Sequence, residues 1–210
     1  MAPVPRMLKE ALEPTRVREI GEAALRVVAR KGLEGATMQE IADEAGLAKG
    51  TLYLYFEGRD DLVVHVAEAA FSELQPAVAE ALGREGSVSE RLEGAIRVHV
   101  EFFERRRDLL RLFVSVAHPG PAPERSARLS RNCHPLYLAY LDLLTSFLVD
   151  AQAHGEVRPF RADRLALFLA EGLAGVILRR LGETEPVPVE DDVRLVAGAL
   201  VSGIVTRRTS

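Results

Sequence analysis

A short run of the chain concentrates side chains that can donate hydrogen bonds to an anionic surface. Within seven residues the sequence places Lys49, Gly50, Thr51, Tyr53 and Tyr55. A lysine ammonium can donate to guanine O6 and N7 or to a phosphate, and hydroxyl groups can donate to phosphate oxygens. A glycine has no side chain, so the backbone can approach another molecule closely. These residue types are suited to contact with a nucleic-acid duplex.

Helical periodicity places this run at the end of three consecutive helices. Apolar residues at helical spacing predict a first helix over Thr15–Lys31, ended by a glycine. Thr37 and Glu40 form a Thr-x-x-Glu capping box, which predicts that a second helix begins at Thr37. Gly46 ends this helix, and a third helix is predicted from about Ala48 to Phe56. The run therefore lies on a short helix that the other two must hold in place.

The second and third helices have the features of a DNA-binding helix-turn-helix. Ala42 is small, as required where two helices cross closely, and Gly46 allows the chain to reverse. The third helix could then lie in a major groove about 12 Å wide. The N–H groups at Thr37 would form an anion site for a phosphate, and Arg59 would contact another phosphate. Four apolar residues are predicted to lie under the helix pair: Ile41, Ala45, Leu47 and Leu52.

This segment resembles the TetR family of bacterial regulators. Its third helix is similar to the tail of the family's signature, often written G-T-L-Y-x-H-F-x-x-K-x-x-L. Tyr55 stands where the family usually has histidine and Arg59 where it usually has lysine, and both can still donate to a phosphate. Gln39 lies where some members read a base, and it could pair with adenine. The matching residues are Gly32, Thr37, Ile41-Ala42, Ala45-Gly46-Leu47, Lys49-Gly50-Thr51-Leu52-Tyr53, Tyr55-Phe56 and Leu62.

The resemblance implies an all-α fold, a homodimer, and repression of transcription that a small molecule relieves. Periodicity by itself predicts an all-α chain of about nine helices. We expect a helix-turn-helix DNA-binding domain over residues 1–60 and a helical ligand-binding and dimerisation domain over residues 61–210. Beyond the third helix, helices are predicted over Asp61–Leu82, Ser87 to about Arg107, Asp108–Ala117, a segment ending near Ala153, Asp163–Leu181 and Val189–Thr206, with a loop over His118–Ala127.

The stretch from Ser87 to Gly182 looks like the family's variable ligand-binding body. Its aromatic and aliphatic side chains favour a small hydrophobic effector, such as an acyl chain, an aromatic compound or a drug-like amphiphile. An acyl-CoA would need basic groups at the pocket mouth. Arg105, Arg106 and Arg107 are candidates, unless they form a solvated surface or interact with a helix C-terminus. The candidate ligand contacts are His99, Phe103, Phe113, His134, Tyr137, Tyr140, Leu141, Phe168 and Glu171.

The last two helices carry small residues that would let two backbones approach closely. Aliphatic side chains between them add more apolar surface than two edge helices of a monomer should expose. We predict that helices 163–181 and 189–206 form a homodimer interface, with a pairing inside one chain as the alternative. A two-fold interface matches a palindromic operator whose half-sites lie about one helical turn apart. The small residues are Ala170, Ala174, Gly175, Ala197, Gly198, Ser202 and Gly203.

The net charge gives no support of its own to DNA binding. The chain carries −4, and its first 60 residues hold nine Lys and Arg against ten Asp and Glu. DNA binding must therefore come from a local arrangement of residues. A single cysteine, Cys133, excludes an internal disulfide and fits a cytoplasmic location. No apolar stretch approaches the roughly 20 residues that span a bilayer, and the start has no signal-peptide core, so we expect no membrane partner.

Two other functional classes are less well supported. An enzyme could use Cys133 and His134 as nucleophile and base, or a metal site with His118, but adjacent helical residues point about 100° apart. The sequence has no His-Glu-x-x-His, P-loop or dinucleotide motif, so we expect no catalysis, metal or cofactor. The remaining alternative is a DNA-binding regulator without an effector, such as a nucleoid or division factor.

Overall fold

The structure is a computed structural model that describes residues 14–117, 123–183, 185 and 187–205. Within these residues the chain forms nine α-helices, and the one extended pairing is an isolated bridge between Val157 and Val205. The predicted all-α fold is confirmed. The helices are α1 Pro14–Gly35, α2 Met38–Glu44, α3 Lys49–Tyr55, α4 Arg59–Leu82, α5 Val88–Arg105, α6 Arg107–Ala117, α7 Pro123–Ala153, α8 Ala162–Leu181 and α9 Val189–Ile204.

The apolar stripe predicted on the first helix is its buried face. Its five members recur at i, i+3, i+4, i+7 and i+8, and all of them are buried. Gly32 interrupts the helical geometry near the end of α1 with a φ of +72°, where a side chain would be strained. The predicted end of the regular helix is therefore confirmed. The buried stripe consists of Ile20, Ala23, Ala24, Val27 and Val28.

Local hydrogen bonds define α2 at both ends. The predicted capping box is present at its start. At its other end Gly46 has a φ of +66°, and its N–H donates to the Asp43 carbonyl at 3.2 Å. The Leu47 N–H donates to the Ala42 carbonyl at 2.9 Å. These two bonds close the helix as a Schellman motif and direct the chain into α3.

The described residues divide into two compact units. The first combines the residues up to Ala69 with Asp108–His134, and the second combines Ala70–Arg107 with the residues from Pro135 onward. The long helices α4 and α7 contribute residues to both units. The expected domains over residues 1–60 and 61–210 stay a prediction.

Several element boundaries differ from those predicted. α4 begins at Arg59 rather than Asp61, and the acidic residues of its first turn interact favourably with the helix N-terminus. α7 begins at Pro123, so residues 123–127, predicted as loop, are helical. Proline suits the first turn of a helix because its missing N–H costs nothing there. Residues 118–122 of that predicted loop lie outside the described residues, as does Thr206 beyond the end of α9.

Helices α5, α8 and α9 of the second unit pack together around a buried charge network. Arg180 on α8 is 4% exposed. Its Nε donates to the Glu104 carboxylate on α5 at 2.9 Å, and its Nη1 donates to Asp192 on α9. Two carboxylates therefore satisfy one buried guanidinium and join three helices.

Replacing Arg180 by alanine should destabilise the protein strongly. The change leaves the partly buried carboxylate of Asp192 without its cation and leaves Glu104 paired with Arg107 alone, which costs about 3 kcal/mol. Arg179→Ala is the matched control, because Arg179 is exposed and its ion pair with Glu183 contributes at most about 1 kcal/mol. Urea denaturation followed by circular dichroism measures both variants, and equal free energies of unfolding would contradict the role of the network.

Candidate nucleic-acid interface and ligand cavity

α3 is anchored by two apolar side chains and turns the rest of its surface outward. Leu52 and Phe56 are buried, at 0% and 2% exposure. The structure brings all five residues of the predicted reading run onto this one helix, but two of them lie closer to the core than expected. Lys49, Gly50 and Tyr53 are exposed, and Thr51 and Tyr55 are half-buried.

The outermost face of α3 also presents a leucine that the sequence analysis missed. Leu54 is 59% exposed and lies opposite Leu52 on the helix. Gly50 lies one turn earlier on the same side, and a Cβ added there would meet no atom within 4 Å. A helical wheel at about 100° per residue would have found Leu54. Its exposure was not predicted, because a leucine in a helix is normally part of the core.

Lys49 differs from the other cations of residues 14–69, because none of the described carboxylates forms an ion pair with it. Each of the other cations in that range has a carboxylate oxygen within 4.0 Å. Arg26 and Arg30, for example, both pair with Glu44. The exposed ammonium of Lys49 can therefore reach a duplex without breaking an ion pair.

The start of α2 is already occupied by a carboxylate of the chain itself. The Thr37 N–H donates to Glu40 Oε2 at 3.1 Å, and the Glu40 N–H donates to Thr37 Oγ1 at 3.2 Å. Hydrogen bonds from Lys31 and then from Thr37 hold the pKa of the Glu40 carboxyl below its usual range. A phosphate at the predicted anion site would have to displace this carboxylate. Gln39 is exposed beside it, and its amide donates to Asp43 at 2.8 Å.

Arg59 turns inward rather than toward the predicted DNA surface. Its side chain is 10% exposed. The guanidinium donates to the carbonyl groups of Leu33 and Ala36, the second at 3.2 Å. These carbonyls lie around the end of α1, so Arg59 fixes the turn that leads into α2. The residue predicted as a phosphate contact therefore has its Nη1 group engaged within the protein.

Two of the predicted ligand contacts form a buried polar pair in the second unit. The Tyr140 hydroxyl lies 2.9 Å from His99 Nδ1, and both residues are buried. Burial lowers the pKa of His99 to about 4 and raises the pKa of Tyr140, so both side chains are neutral at pH 7. Phe103, a third predicted contact, packs against His99 with ring centroids 5.2 Å apart. The pair is an uncharged hydrogen bond in aromatic surroundings.

Tyr140 also lines a small apolar cavity. The cavity has a volume of about 30 Å³, and every other residue that lines it is aliphatic. A space of this size holds roughly one or two water molecules, so a larger ligand could enter only if side chains moved. The lining residues are Leu92, Ala95, Ile96, Tyr140, Leu144, Leu169, Ala170, Leu173 and Val196.

The other predicted ligand contacts do not line this cavity. Tyr137 is half-buried, and its hydroxyl donates to the carboxylate of the exposed Glu171. Phe113 and His134 belong to the first unit. Sequence reasoning could choose aromatic and polar residues but could not tell which of them long-range packing would bring together. The remaining predicted ligand contacts, which are half-buried or exposed, are Phe113, His134, Leu141 and Phe168.

The three consecutive arginines form ion pairs with carboxylates at the surface. This arrangement corresponds to the solvated surface that the sequence analysis gave as the alternative to basic groups at a pocket mouth. Arg105 and Arg107 each form an ion pair with a glutamate about one helical turn earlier, at 3.3 and 3.1 Å. The Arg106 guanidinium pairs with Glu73 and lies over the Phe102 ring, 4.4 Å from its centroid. An anionic ligand group would have to compete with these carboxylates.

The outward faces of α8 and α9 combine exposed apolar side chains with glycines. Phe168 and Leu195 are 64% and 63% exposed. A Cβ added at any glycine of these two helices would meet no atom within 4 Å. Each glycine within a helix costs about 0.5–1 kcal/mol relative to alanine, and no contact among the described residues requires it. The glycines are Gly172, Gly175, Gly198 and Gly203.

The described residues were also compared with what a metal site, a membrane span or a nucleophile–base pair requires. Among them, no three His, Cys, Asp or Glu side chains lie close enough to hold a metal ion, and no helix could cross a membrane. Cys133 is buried while His134 is exposed, so the two side chains do not form a nucleophile and base. Burial and then the charge of Glu68 raise the pKa of the Cys133 thiol to about 11. This thiol stays protonated at neutral pH.

Comparison with known proteins gives a family match and several relatives. Residues 15–66 match the family described as bacterial regulatory proteins, tetR family. The HTH-type transcriptional regulator BetI of Brucella anthropi is 28% identical over 144 residues, which is 67% of this chain and 74% of BetI. The fatty acid metabolism regulator protein of Bacillus subtilis is 23% identical over 148 residues, 70% of this chain and 74% of that protein.

A solved structure shares the fold. FadR from Bacillus subtilis, determined in complex with stearoyl-CoA, has a TM-score of 0.78 and 20% sequence identity, covering 89% of this chain and 98% of FadR. The family match spans the three helices of the candidate nucleic-acid interface and the start of α4. The named relatives are regulators, in agreement with the expectation that this chain is not an enzyme. Residues 15–66 of this chain therefore match the tetR family of bacterial regulatory proteins, and the chain is similar to helix-turn-helix transcriptional regulators.

Proposed function

We propose that this protein is a cytoplasmic, ligand-responsive repressor that binds a palindromic operator as a homodimer and is released by a small hydrophobic effector. The observation that carries the proposal is the outward surface of α3. It exposes Lys49 and Tyr53 on a helix whose other side is fixed by the buried Leu52. Such a surface can enter a major groove without disturbing the core beneath it.

The DNA contacts are assigned to α3 and to one residue of α2. Lys49 would donate to guanine or to a phosphate, and the hydroxyl groups of Thr51, Tyr53 and Tyr55 would donate to phosphates. Gly50 would let the backbone approach the duplex. Gln39 would read a base once its amide leaves Asp43. Thr37 and Arg59 would stabilise the helices that carry this surface, since their N–H groups already donate to acceptors within the chain.

The homodimer is assigned to α8 and α9. The four glycines of these helices lower the stability of a single chain, and each has open space where a side chain could stand. That space would let a second chain approach closely. Phe168 and Leu195 would be buried by the same contact. A two-fold axis through these helices would present two copies of α3 to the two halves of a palindrome.

The effector site is assigned to the cavity beside the His99–Tyr140 pair. The aliphatic lining suits a carbon chain, and the neutral pair offers the single polar anchor at its edge. FadR of Bacillus subtilis has been solved with stearoyl-CoA, so acyl-CoA thioesters are the first ligands to test. A chain of that length is far larger than the cavity, and the effector would therefore stabilise a more open form. α4, which contributes to both units, would carry the change to the DNA-binding unit.

Lys49→Ala and Tyr53→Phe should each weaken operator binding without unfolding the protein. Loss of the lysine should lower the affinity about tenfold per half-site and reduce the slope of log affinity against log salt by about one per half-site. Loss of the tyrosine hydroxyl removes one hydrogen bond per half-site and should lower the affinity about fivefold for each. Fluorescence anisotropy measures binding to an operator that the unmodified protein selects from random duplexes.

Arg84→Ala is the control for these two variants. Arg84 is exposed in the second unit, where its ion pair with Glu80 is solvated, so its affinity and salt slope should equal those of the unmodified protein. If both α3 variants also bound normally, the assignment of the DNA surface would be wrong.

Gly198→Arg should convert the dimer into a monomer and abolish high-affinity operator binding. The arginine fills the space above α9 that a second chain would need. Val149→Arg is the control, since Val149 is 49% exposed on α7, which is not one of the two helices of the proposed interface. Sedimentation equilibrium gives the mass of each variant. A dimer that persists in Gly198→Arg would exclude this interface.

Ala95→Leu should preserve operator binding but raise the acyl-CoA concentration needed for release at least tenfold. The larger side chain fills the cavity that Ala95 lines. Ala139→Leu makes the same change at an exposed position of α7 and should respond normally. Release is followed by anisotropy with octanoyl-, palmitoyl- and stearoyl-CoA. An operator complex that no ligand affects would instead favour a regulator without an effector.

A further inference from the structure

Leu54 lies where α3 extends furthest from the core, and no described contact explains a leucine there. On a helical wheel Gly50 and Leu54 stand roughly 160° and 200° from Leu52, so they share the face opposite the buried side chain. Leu54 is 59% exposed, and the space above Gly50 is open. The centre of the outward face of α3 is therefore apolar, although the residues around it are hydrogen-bond donors.

An apolar centre limits what this face can recognise on DNA. Leu54 has no donor or acceptor, so it cannot bind a phosphate or the polar edge of a base. In the major groove the apolar feature of the base pairs is the C5-methyl group of thymine. Gly50 contributes no side chain of its own, which allows this part of the helix to approach the base edges closely.

We propose that Leu54 is a specificity-determining residue that packs against the methyl group of a thymine in each operator half-site. The proposal rests on the DNA-binding function given above. Lys49 and the hydroxyl groups would position α3 on the duplex, whereas Leu54 would distinguish thymine from the other bases at one position. Each half-site would then contain one thymine whose methyl group is required for full affinity.

Uracil scanning tests the proposal directly, because uracil keeps the pairing of thymine and lacks only its methyl group. Each thymine of the selected operator is replaced by deoxyuridine, one position at a time in both half-sites, and binding is measured by anisotropy. We expect one position at which the unmodified protein loses about fourfold in affinity per half-site, the effect of leaving one methyl group unburied.

Two variants show whether Leu54 is responsible. Leu54→Ala should bind the thymine and uracil operators equally at that position, and its melting temperature should be unchanged because the side chain is mostly exposed. Tyr53→Phe is the matched control on the same helix. It should bind more weakly overall but keep the fourfold preference for thymine.

The outcomes separate this proposal from the function on which it rests. Failure to select any operator would remove the DNA-binding function itself. A selected operator with no uracil-sensitive position, or a preference for thymine that persists in Leu54→Ala, would overturn the role of Leu54 and leave the DNA-binding function standing.

Discussion

Burial of Leu52 and Phe56 beneath α3 is the contact on which the DNA surface depends. A helix of seven residues does not form by itself in water, because nucleation costs more than a few hydrogen bonds return. Burying one leucine and one phenylalanine stabilises it by about 1.5–3 kcal/mol each. Ile41 and Ala42 of α2 are also fully buried. Once the inner side of α3 is fixed in this way, the direction of every outward side chain follows from helical geometry.

Among residues 14–69, the electrostatics leave little positive charge for DNA. Glu44 alone is paired with two arginines, and Glu40 serves both Lys31 and the start of α2. Counterion release by a few unpaired cations gives only a modest, salt-dependent share of the affinity. More of the binding energy must therefore come from hydrogen bonds and from close fit to the base edges. A protein that binds DNA in this way depends on sequence more than one with a broadly basic surface.

The sequence predicted those parts of the fold that short-range signals determine. The capping box, the glycines at positive φ and the placement of the reading run on one helix all depend on residues within a few positions of each other, so one sequence suffices to find them. The inward direction of Arg59 was not predicted, because its carbonyl partners lie 23 and 26 residues earlier and only tertiary packing brings them together. Leu54 was missed because a leucine in a helix is normally part of the core. The ligand contacts stay a prediction, since composition cannot say which aromatic residues meet.

The cavity beside Tyr140 would set a condition on an effector that binds there. Its volume is only about 30 Å³, and Tyr140 and His99 already form a hydrogen bond with each other. A ligand therefore gains little from that pair unless it offers an equivalent partner, and the energy for opening the unit must come from apolar burial. Each buried methylene contributes about 0.8 kcal/mol, whereas shifting a population from 1:99 to 99:1 requires about 5.5 kcal/mol of preference for one form. About seven methylene groups are needed to supply this, so under the proposed function a long carbon chain would act as a switch, whereas a short one would only bind weakly.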